Sequence, residues 1–82
     1  MRRLDLDGAP PFKDKAHADY IWEQGGQVVV VKEVRGRAKV YDVRQLRSTI
    51  EQLINDPSAR QWLSSELGAE FEVKAGVLHA SR

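Results

Sequence analysis

The chain of 82 residues contains no cysteine. A disulfide framework and a thiolate metal site are therefore both closed to it. The same absence fits a reducing, cytoplasmic setting. Aromatic residues make up only 7% of the chain. Long hydrophobic runs are missing as well. The longest, Val28 to Val31, is far too short to span a bilayer, so no membrane partner is expected. No apolar stretch follows Arg2 and Arg3, so the N-terminal segment does not read as a secretory signal. A large charge of one sign is also lacking: 13 Lys and Arg against 12 Asp and Glu leave a net +1. That balance argues against a basic nucleic-acid tail and against an acidic mimic of nucleic acid.

Leu, Ile, Val and Phe account for 21 of the 82 residues, enough to leave the disordered class. The length suits one compact domain. A core this small is marginal alone, so stability must come from tight packing, a partner or self-association. Residues 1–11 read as an extended arm and residues 12–82 as a single α+β domain. Within the arm, Leu4 and Leu6 alternate with Asp5 and Asp7 as in a short strand. Asp7-Gly8 reads as a turn, and Pro10-Pro11 as a stiff, extended link.

Residues 14–24 admit two readings. Asp14 can cap a helix that ends at Gly25. Alternatively, residues 18–24 form a strand that enters a hairpin at Gly25-Gly26, which the flanking aromatic and β-branched residues favour. The hairpin register sets Trp22 opposite Val29, Tyr20 near Val31 and Asp19 opposite Lys32. Gln27 to Val34, with four consecutive valines, is the clearest strand. Arg35-Gly36-Arg37 then reads as a three-residue turn into a returning strand, Ala38 to Tyr41. This pairing sets Glu33 against Lys39 and Val31 against Tyr41.

Alternation then defines two faces. Val28, Val30, Val34, Ala38 and Val40 form an aliphatic one. Tyr20, Trp22, Val29, Val31 and Tyr41 form an aromatic one. Asp42, with Gln45 three residues on, is expected to cap a helix from Val43 to Ile54. Its apolar stripe is Val43, Leu46, Ile50, Leu53 and Ile54. Asp56-Pro57 starts a second helix lined by Ala59, Trp62, Leu63 and Leu67, and Gly68 stops it. Phe71, Val73 and Ala75 mark a final strand, which Gly76 bends or turns into a last short strand, Val77 to His79. The expected fold is thus a small antiparallel sheet, a β-meander plus a C-terminal strand, packed on two consecutive helices. A three-stranded meander followed by a helix is similar, in element order alone, to small DNA-binding domains of the integrase arm-binding type. No residue motif carries that likeness, so it assigns no site residues.

Little in the chain points to catalysis. His17 and His79 are the two histidines, and neither sits in a nucleophile motif. Asp5-x-Asp7-Gly8 resembles a fragment of a calcium loop but lacks the remaining ligands. Gly25-Gly26 lacks the Lys and Ser/Thr of a phosphate loop. No enzyme, cofactor or metal is expected.

Charge placement is more informative. Residues 32–47 hold Lys32, Arg35, Arg37, Lys39, Arg44 and Arg47 against Glu33 and Asp42, a local +4 that leaves −3 elsewhere. Such a cluster suits an acidic protein surface or phosphates, and it also keeps an edge strand soluble. The aromatic face suits either a protein hot spot or a base-stacking platform, and aromatics equally fill cores. The expectation is a non-enzymatic binding module, a regulator, adaptor or inhibitor in a bacterial or phage setting, that docks on a larger protein. Tyr20, Trp22 and Tyr41 would anchor, with Arg35, Arg37 and Lys39 around the rim. The alternative is DNA or RNA binding through the basic hairpin 32–39 with Arg44 and Arg47. A homodimer is also open to it.

Overall fold

The computed structural model describes residues 1–81, with side chains to residue 80. The elements are β1 (Arg2–Asp5), a 3₁₀ turn (Pro10–Phe12), β2 (Tyr20–Gln24), β3 (Gln27–Arg35), α1 (Val40–Asn55), α2 (Pro57–Leu67) and β4 (Glu72–Ser81). The four strands form one sheet in the order β1-β2-β3-β4. The fold is α+β, as expected. The sheet is mixed rather than antiparallel, because β4 runs parallel to β3.

The β2–β3 hairpin forms, and Asp14 caps no helix. Gly25 and Gly26 have φ of 60° and 83°, so both adopt the left-handed conformation that a two-residue hairpin turn of this twist requires. The register sets Tyr20 against Val31 and Trp22 against Val29. Asp19 Oδ2 lies 3.6 Å from Lys32 Nζ and accepts the Glu33 N–H at 2.7 Å. Residues 1–11 do not stay apart from the domain. β1 pairs with β2 along the full length of β1, and Leu6 is fully buried. Pro10-Pro11 starts the 3₁₀ turn instead of an extended link.

The returning strand Ala38 to Tyr41 does not exist; the three-stranded meander that precedes the helix is β1-β2-β3 instead. Val40 and Tyr41 begin α1. Glu33 pairs with His79 rather than Lys39, and Val31 with Val77 rather than Tyr41. Two strands compete for this side of β3. A local return offers only a few pairs, whereas β4 matches nine residues, Gln27 to Arg35. A parallel partner needs a long crossover, and α1 and α2 provide it. Asp42 caps the helix from inside its first turn, not as the N-cap residue: its Oδ2 accepts the Lys39 N–H at 2.9 Å. Gly76 neither bends nor breaks β4, which continues to Ser81.

One face of the sheet carries the core. Ile21, Val28 and Val30 pack beneath Leu46, Leu53, Ala59 and Leu63, with Leu6 and Phe12 closing the side near β1. Trp62 meets Phe12 edge-on at 6.1 Å. Thr49 is fully buried and links α1 to the loop before β2. Its Oγ1 accepts the Ala18 N–H at 2.8 Å and donates to the Gln45 carbonyl at 2.8 Å. Asp56 Oδ1 accepts the Ser58 N–H at 3.2 Å and so caps α2, while Gly68 ends that helix. The stripe expected on α1 is only partly used: Leu46 and Leu53 are buried, but Val43 and Ile54 are exposed. Asp42, Gln45 and Thr49 take the remaining inward positions.

Candidate interaction surface

Strand alternation places Tyr20, Trp22, Val29 and Val31 together on the face opposite the core. Arg3 and Asp5 from β1 and Ala75 and Val77 from β4 extend the same face. Neither helix covers it. Tyr20 and Val31 are buried, yet they lie outside the core cluster beneath the helices. Their cover is local. The Arg3 guanidinium sits 3.9 Å from the centre of the Tyr20 ring, and Trp22 meets that ring edge-on at 5.7 Å. The result is an aromatic and aliphatic layer one side chain thick. Near the hairpin end, Met1, Trp22, Val29 and Lys74 border a depression of about 200 Å³. Small-molecule sites occupy roughly 300–1,000 Å³, so this depression suits an inserted side chain better than a metabolite.

The sequence also assigned Tyr41 to this face. It lies instead in the first turn of α1, 60% exposed, and donates no packing to Tyr20 or Trp22. Its hydroxyl accepts from Gln45 Nε2 at 2.9 Å. The basic residues do cluster, although not as a hairpin. Arg35 ends β3, Arg37 and Lys39 lie in the connection, and Arg44 and Arg47 follow on α1. All five are exposed. Among the described residues none of the five forms an ion pair, whereas Lys32 is tied to Asp19. Tyr41 therefore belongs with the cations. From Val29, beside Trp22, to Arg35 is six residues of strand, roughly 20 Å. Trp22 sits toward the hairpin end of the sheet with Tyr20 at mid-strand, and the basic group with Tyr41 sits toward the opposite end.

A third feature was not anticipated. Asp5, Asp7, His17, Asp19 and Glu33 line an open polar recess together with Arg3 and Tyr20. Most of these groups already have partners. Asp5 accepts from Arg3 Nε at 3.2 Å, and Asp19 holds Lys32 and the Glu33 N–H. His17 Nε2 stands 3.9 Å from Asp7 Oδ1. Among the described residues no three His, Asp or Glu side chains converge as a metal site, and the lining of the recess includes no serine or threonine. The recess arises where the loop before β2 folds over the end of β1, a long-range placement that spacing cannot reveal.

No protein-family model, curated protein or solved structure matches this chain. Among the described residues, no helix is long and apolar enough to cross a membrane.

Proposed function

We propose that this protein is a non-enzymatic binding module that docks on a larger protein through its uncovered sheet face. The observation that supports this reading is an apolar and aromatic layer, Tyr20, Trp22, Val29 and Val31, with no helix over it. Trp22, half-buried there, is of the residue type that dominates binding energy when it enters a partner's pocket, whereas Tyr20 is buried beside it and supports it rather than serving as an anchor. Arg35, Arg37 and Lys39 pair with acidic groups on the same partner, with Tyr41 beside them. The roughly 20 Å between the two ends lies within the reach of a standard interface of about 800 Å² per side. Docking of this kind acts by occlusion and suits a regulator, adaptor or inhibitor in the cytoplasm.

The test is capture of partners from a native lysate, read by mass spectrometry for protein and by staining for nucleic acid. Wild type retains a protein that Trp22→Ala and the triple Arg35→Ala, Arg37→Ala, Lys39→Ala variant both release. Equal retention by all three contradicts the reading. A second reading, nucleic-acid binding, is favoured by one observation: five exposed cations, without ion pairs among the described residues, run from the end of β3 into α1. Backbone N–H groups at a helix start add to their attraction for phosphate. It requires a low-salt mobility shift that weakens steeply with added salt. Absence of any shift removes it.

A further inference from the structure

The two edges of the sheet are built differently. β1 has four residues, three of them charged: Arg2, Arg3 and Asp5. β4 has ten, and from Ala75 to Ser81 it holds no Lys, Arg, Asp, Glu or Pro. Charge, proline, shortness and bulges are the devices that keep edge strands from pairing, and from Ala75 on β4 has none of them, its one register irregularity lying just before, at Lys74. Among the described residues no strand pairs with its outer side. At its middle, Val77 and Leu78 are 40% and 37% exposed and point to opposite faces.

Helix α1 supplies a second, independent observation. Val43 and Ile54 remain 40% and 46% exposed, and Ile50 is only half-buried. Spacings of seven and four residues put these three on one side of the helix. That side faces β4. A Cβ on Gly76 would come within 2.5 Å of Ile50 Cδ1 and 3.1 Å of Leu46 Cδ1. The apolar flank of α1 therefore lies along the free edge.

We propose that β4 pairs antiparallel with β4 of a second copy of this chain, about a two-fold axis through Val77. The product is one eight-stranded sheet with both pairs of helices on the same face. In this register Val77 meets Val77 of the second copy. Leu78 falls opposite Gly76, on the face where Ile50 and Leu46 already cover that glycine, and Ala75 opposite His79. No two charged residues oppose each other between positions 75 and 79, the regular stretch beyond the irregularity at Lys74. Paired strands lie about 4.8 Å apart, and α1 packs on both β3 and β4. Each α1 axis thus sits about half a strand spacing inside the edge, and the two axes come roughly 10 Å apart, which is helix-packing distance. The helices run antiparallel, so Val43 lies alongside Ile54 of the second copy, and Arg44 and Arg47 lean toward its Glu51. A lone strand from another protein would cover the edge but leave that flank in water, which is why the fitting occupant is a second copy.

Sedimentation equilibrium on the full chain, over a concentration series, is the test. Wild type shows a monomer–dimer equilibrium. Val77→Lys places two ammonium groups on the axis and raises the dissociation constant roughly a hundredfold, with an unchanged circular dichroism spectrum. Ile54→Lys, on the exposed helix flank, raises it roughly tenfold and serves if the strand variant fails to fold. Because the chain has no cysteine, Val77→Cys gives a single thiol, which oxidises to a linked dimer faster than a remote, exposed Lys13→Cys does. A wild-type chain that stays monomeric up to roughly millimolar concentration overturns the proposal. So does a dimer that both lysine variants leave unchanged, or equal cross-linking at positions 77 and 13.

Discussion

Val28 and Val29 are neighbours in the chain and lie on opposite faces of the sheet. Val28 is fully buried under two helices, with Ile21 and Val30 beside it. Val29 is half-buried next to Trp22, on the face that no helix covers. Residue type does not distinguish them. What separates the two faces is depth: one is the floor of a core, and the other is a layer one side chain thick, held by Arg3 over Tyr20. An apolar sheet face that its own chain leaves uncovered is a surface available to another molecule.

The sharpest contrast lies in the cost of deletion. Leu63→Ala empties a fully buried position above the covered face. It should lower unfolding free energy by about 2–5 kcal/mol, measured by urea denaturation. Next in size comes the covered face's polar tie. Thr49→Val keeps the shape but leaves the buried Ala18 N–H without its partner, at about 1–3 kcal/mol in the same assay. A matched pair then compares the faces directly. Val28→Thr buries an unpaired hydroxyl and should cost about 1–3 kcal/mol. Val29→Thr makes the same change on the uncovered face, where water reaches the hydroxyl, and should cost about 0.5 kcal/mol or less. Equal costs for the two would erase the distinction on which the functional reading rests.

Much of this contrast is legible in the sequence, and the reasons mark where legibility ends. The Gly25-Gly26 turn fixes the β2–β3 register locally, so both faces of that hairpin follow from counting outward. The caps at Asp56 and Gly68 are equally local. The third position in the sheet is not local. Ala38 to Tyr41 alternates well enough to imitate a returning strand, but β4, some forty residues on, offers β3 a longer match and displaces it. Tyr41 moves with that change from the aromatic face to the start of α1. The basic cluster survives because it depends on nearness along the chain, whichever element carries it. The excess apolar surface of α1 was hidden for a different reason. Val43 and Ile54 have the spacing of core residues, and only packing shows that the sheet ends before it reaches them.

Trp22 decides the central claim. Partner capture and urea denaturation on Trp22→Ala, run together with wild type, measure its two roles at once. The account predicts that the variant stays folded with a loss of roughly 2–4 kcal/mol, the burial of about half a large ring plus its edge-on contact with Tyr20. It also predicts loss of the captured protein. A variant that unfolds, or one that stays folded and keeps the same partner, would contradict it.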